Sequence, residues 1–92
     1  MSKKRFDSIW DAIESPANAE NMKLRAKLMR AIIKHIEKEE LSQAAAAKLM
    51  GVTQPRVSDL VRGKIDLFSI DTLINMASAA GLQVDLKLAR TG

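Results

Sequence analysis

The sequence predicts an all-α domain of five helices that ends in a short β-strand. Three observations predict it. Apolar residues recur at helical spacing through most of the 92-residue chain, as in Leu24, Leu28, Ile32 and Ile36. Three hydroxyl residues each open a helical run that a glycine closes: Ser42 with Gly51, Thr53 with Gly63, Ser69 with Gly81. The last apolar run changes period. Leu82, Val84, Leu86 and Leu88 alternate with Gln83, Asp85 and Lys87, which is the pattern of a half-buried strand.

Residues 1–20 read as a basic tail, Met1 to Arg5, and a short helix. Asp7 or Ser8 caps that helix, and Phe6, Ile9, Trp10 and Ile13 share one face. "SPANAEN" interrupts the pattern, because Pro16 disfavours helical backbone at Ser15. Residues 21–81 form the main helical unit. Its long helix runs from about Ala19 to about Glu39, with Met29 and Ile33 widening the apolar stripe. Lys23, Arg25, Lys27, Arg30, Lys34 and Lys38 are expected mostly to face away from it. Ser42 caps a helix over Gln43 to Met50, and Gly51 suits a left-handed residue at its end. Thr53 caps the next helix, which runs to about Arg62. Pro55 sits in its first turn, where no backbone donor is lost. Ser69 caps "IDTLINMASAA". Residues 82–92 are the strand and a tail.

The two short helices around Gly51 have the form of a helix-turn-helix. Their steep crossing needs a small residue at the contact, which Ala47 provides. Met50, Val52, Val57 and Leu60 supply the apolar lining.

Composition limits what this unit does. Hydrophobic residues make up 47% of the chain, enough for one core. There is no cysteine, so neither a disulfide framework nor a thiolate metal site exists. No apolar run approaches the ~20 residues that span a bilayer, and no signal-peptide core follows the basic N-terminus. A cytoplasmic protein with no membrane association is expected. The net charge of +4 favours an anionic partner, nucleic acid first. Enzymatic function is not expected: there is no tyrosine, no glycine-rich phosphate loop, and one histidine, His35, set among charged residues without companion metal ligands. No cofactor and no metal are expected. Glu37, Glu39 and Glu40 read as solvated helix surface.

The stretch "LSQAAAAKLMGVTQPRVSDLVRGK" resembles the helix-turn-helix of the Cro/C1-type repressors, the XRE family. The resemblance extends from about Met22 to Gly81 and implies a lambda-repressor-like fold that binds double-stranded DNA. With "SIWDAIE" ahead of the motif and "LFSIDTLINMASAAGLQVDLKL" after it, the layout is similar to small antitoxins of the HigA type. Family members often carry glutamate where this chain has Ala45, so the capping box is incomplete.

The resemblance makes the helix from Gln54 the recognition helix, its N-terminal end in the major groove. Gln54 can offer a paired donor and acceptor to adenine, and Arg56 can fork onto guanine. Asp59, one turn beyond Arg56, orients it, accepts from cytosine, or pairs with Arg56 or Arg62. Ser58 is the next candidate for base contact. Gln43, Thr53, Arg62 and Lys64 lie at helix ends, where family members hold phosphates, and Lys48 joins them.

The alternating strand has no mate within the chain. Pairing Leu82, Val84, Leu86 and Leu88 with the same strand of a second subunit gives a homodimer, which suits a palindromic operator. The apolar face of Phe6, Ile9 and Trp10 is a candidate contact for a cognate toxin; Trp10 serves equally as a docked core residue. The expected function is a transcriptional repressor that is also the antitoxin of a type II toxin–antitoxin pair and autoregulates its operon. The alternatives are a free-standing XRE-family regulator and, from another class, a helical protein-interaction module.

Overall fold

The computed structural model describes residues 16–90. These form four α-helices: α1 (Pro16–Lys38), α2 (Gln43–Met50), α3 (Gln54–Val61) and α4 (Ile70–Ala79). A single 3₁₀ turn, Ile65–Leu67, joins α3 to α4. The helix expected around Phe6 to Ile13 lies outside the described residues. Helix α1 starts earlier than its periodicity implied, at Pro16 rather than near Ala19. A proline at the first helical position loses no hydrogen bond, because that amide has no partner inside the helix in any case.

One core holds the four helices together. Met29, Ile32 and Ile36 of α1 meet Ala46, Ala47 and Met50 of α2, Val57 and Leu60 of α3, Phe68, and Leu73, Met76 and Ala77 of α4. The stripe on α1 that faces this core is therefore i, i+3, i+7. Leu24 and Leu28 are only half-buried. With Ile70, Ile74, Val84 and Leu86 they line a separate apolar groove of about 350 Å³.

The helix ends share one construction. Each of the four closes with a residue at positive φ: Glu40, Gly51, Gly63 and Gly81. The next amide reaches back five residues: Leu41 to Ile36, Val52 to Ala47, Lys64 to Asp59 and Leu82 to Ala77, all at 2.9–3.1 Å. This is the Schellman closure, and it satisfies carbonyls that the helix leaves open. Glycine holds the left-handed position at three ends, and Glu40 (φ 53°) holds it at the fourth. A side chain in that region costs about 1–2 kcal/mol. Glu40→Gly is expected to stabilise the fold by about 0.5–1 kcal/mol, the relief of strain being partly offset by a freer unfolded chain. Gly51→Ala should destabilise it by about 1 kcal/mol although open space surrounds the new Cβ, because the conformation alone is costly. Urea denaturation of both variants checks the opposite signs.

The expected C-terminal strand does not form. Residues 82–90 carry no regular structure. Period-two patterning describes which side chains share a side, but a strand exists only when its backbone finds a partner. Among the described residues nothing pairs with this segment. Leu82 packs against the core, while Val84, Leu86 and Leu88 are 38%, 65% and 88% exposed. No helix among the described residues is long and apolar enough to cross a membrane.

Candidate nucleic-acid interface

The helix-turn-helix is built by its caps and its small residues. Ser42 Oγ accepts from the Ala45 amide at 3.0 Å and starts α2. This is the half of a capping box that Ser42 can make without a glutamate at position 45. Thr53 Oγ1 accepts from the Arg56 amide at 3.3 Å and starts α3, with Pro55 in the first turn. Ala46 and Ala47 are both buried, so α3 packs closely against α2. The left-handed Gly51 turns the chain, and Val52 packs against the core. The turn residues predicted from sequence are the ones that make the turn; Ala46 is an additional small contact.

Val57 and Leu60 point α3 at the core, so Ser58, Asp59 and Arg62 fall on its opposite side. Arg62 is exposed, and Ser58 and Asp59 are half-exposed. Gln54, at the first helical position, is exposed, as are Gln43 at the start of α2 and Lys48 on its outer face. Thr53 is exposed while its hydroxyl serves as the cap. The predicted base and phosphate residues thus lie on α2, α3 and the turn beyond. Lys64 adds a further exposed cation there.

Two side chains take partners other than those expected. Asp59 pairs with Lys64, Oδ1 to Nζ at 3.6 Å, and not with Arg56 or Arg62. The closure at Gly63 brings the Lys64 amide onto the Asp59 carbonyl, and the side chain follows it. A pair this exposed contributes only about 0–1 kcal/mol, so Lys64 can leave it for a phosphate. Arg56 is half-buried. Its guanidinium carbon stands 4.4 Å from the centroid of the Phe68 ring, a cation–π stack.

Arg25 corrects a second expectation. Its charge groups it with the solvent-facing cations of the long helix, yet it is half-buried. Its Nη1 donates to the carbonyls of Ile65 and Phe68 at 3.3 and 3.4 Å, tying α1 to the 3₁₀ turn. A signal was present in the sequence: Arg25 stands four residues before Met29 and seven before Ile32, on the core stripe itself. His35 is half-exposed. No group of three or more His, Cys, Asp or Glu among the described residues is placed to hold a metal ion.

The family described as helix-turn-helix domain matches residues 13–89. Among solved structures, one described as an XRE-family transcriptional regulator superposes with a TM-score of 0.74 at 32% identity, over 80% of this chain and 83% of that one. No curated protein matches. A capped two-helix motif, a polar outer face on its second helix and a relative that shares both fold and sequence lead to one conclusion: the chain belongs to the XRE family of helix-turn-helix, DNA-binding transcriptional regulators.

Proposed function

We propose that the protein is a sequence-specific repressor that binds a palindromic operator as a homodimer. We further propose that it is the antitoxin of a toxin partner whose operon it autoregulates. The observation that carries the first part is the free polar end of α3. Gln54 is exposed at the first helical position, and the Thr53 cap fixes the direction in which that end projects. Gln54, Arg56, Ser58 and Asp59 then read bases, while Gln43, Lys48, Thr53, Arg62 and Lys64 hold phosphates. Selection from random duplexes, followed by footprinting of the protein's own promoter, tests this. A single enriched palindrome is the expected result, and binding without sequence preference defeats the reading.

The dimer is supported by the C-terminal segment, where apolar Val84, Leu86 and Leu88 are 38%, 65% and 88% exposed. The antitoxin role is supported by the apolar positions Phe6, Ile9 and Trp10 ahead of the motif, as in the layout of small antitoxins. Co-expression with the product of the neighbouring gene is expected to yield a stable complex that Trp10→Ala weakens. A complex untouched by Trp10→Ala, with the fold intact, removes this segment as the contact. If nothing co-purifies, the protein is a free-standing regulator of the XRE family. We assign it to the cytoplasm, acting by binding and not by catalysis, with no cofactor.

A further inference from the structure

We propose that Phe68 is a positioning residue for DNA reading: it holds the Arg56 guanidinium flat and aimed, and Arg25 in turn anchors Phe68. This rests on the reading of Arg56 as a base contact and says how that contact becomes selective. Phe68 is 1% exposed, so its ring is fixed in the core. Arg25 donates to the Phe68 carbonyl and to the Ile65 carbonyl, so the backbone beneath the ring is fixed as well. Arg56 lies over this immobile surface at 4.4 Å, and its side chain donates no hydrogen bond to any described residue.

The geometry divides the guanidinium between two uses. The stack occupies its face. Recognition of guanine needs its edge, where paired N–H groups meet the two acceptors of the base. One arginine can therefore be stacked and reading at once. A free arginine loses much rotamer freedom when it forms a bidentate contact, whereas one already planar against a ring loses less. The gain belongs only to the base that fits the preset orientation. A phosphate, which accepts from many directions, gains little. Phe68 should thus act on selectivity at one base pair and not on general affinity, although it never touches DNA.

The test compares Phe68→Leu with Arg56→Ala on the selected operator, on operators changed at single base pairs, and on scrambled duplex at fixed salt. Arg56→Ala identifies the base pair that it reads. Phe68→Leu keeps an apolar residue in the core but removes the ring face. It is expected to lower discrimination at that same base pair roughly 2- to 5-fold, the scale of a partly exposed cation–π contact. Scrambled-duplex affinity should stay unchanged. Unchanged discrimination in a folded Phe68→Leu protein overturns the proposal and leaves the base contact standing. If Arg56→Ala relaxes no base pair, the base contact fails and the positioning role fails with it. Should Phe68→Leu not fold, ¹⁵N relaxation of arginine Nε in the wild-type chain decides. Arg56 restrained relative to exposed Arg62 supports the proposal, and equal mobility of the two overturns it.

Discussion

A chain ending at Gln83 is expected to be monomeric and to lose at least about 100-fold in operator affinity. The argument begins from what one domain can read. Helix α3 spans eight residues, and only its first turns reach base edges in a major groove. A single half-site offers too little to separate an operator from competing sequence. Linking two copies at a fixed spacing of about 34 Å makes the second half-site effectively intramolecular. The typical gap between specific and non-specific binding, of about 10³–10⁷, is what the dimer makes available. Ending the chain at Gln83 spares Leu82, whose amide closes α4 onto Ala77 and whose side chain packs on the core. It removes Leu86 and Leu88, which are 65% and 88% exposed, together with Val84, which lines the groove beside Leu24 and Leu28. Thermal melting of the truncated chain separates a loss of affinity from a loss of fold. Leu86→Gln with Leu88→Gln in the full chain should act in the same direction while leaving the backbone in place. Light scattering reads the oligomeric state, and operator titration reads the affinity. A truncated chain that stays dimeric assigns the interface elsewhere, and a truncated monomer that still binds tightly removes the need for a dimer.

The helix-turn-helix was the legible part of this fold because its signals are local. A cap hydroxyl meets an amide three residues on, so Ser42, Thr53 and Ser69 announce their helices by position. Gly51 announces its turn because few other residues accept φ of 68° cheaply. Met50, Val57 and Leu60 follow from helical period. What was not legible depends on contacts between distant residues. Arg25 reads as solvent-facing by its charge, and only the fold brings the open carbonyls of Ile65 and Phe68 within its reach, about forty positions away. Nothing in the sequence marks Phe68 as a neighbour of Arg56, which only the fold places above its ring. Glu40 carries no mark of a left-handed residue, since the type expected there is glycine. Leu24 and Leu28 belonged to a four-residue spacing that drifts around the helix, and they end on a second face. The strand fails for a related reason. Its alternation is real, but no segment among the described residues pairs with it.

Arg56→Ala and Arg62→Ala are expected to fail in opposite ways. Arg56 lies near the start of α3, on the flank that meets Phe68, with its donor edge free. Losing a bidentate contact to guanine should cost about 1–3 kcal/mol on the operator and relax preference at one base pair per half-site. Scrambled duplex, which offers no matched guanine, should bind almost as before. Arg62 caps the other end of the helix and is exposed there. A phosphate contact from it carries charge without sequence. Arg62→Ala should weaken all duplexes alike and reduce the slope of log affinity against log salt by about 1 per site. Arg62 is a cleaner probe than Lys64. Removing Lys64 would also unmask the Asp59 carboxylate beside the DNA, adding repulsion to the lost attraction. The measurement is a titration of operator and scrambled duplex across a salt series for both variants. If Arg56→Ala loses operator and scrambled affinity equally, then Arg56 holds a phosphate. The N-terminal end of α3 then sits higher over the groove than proposed, leaving Gln54, Ser58 and Asp59 to carry the reading.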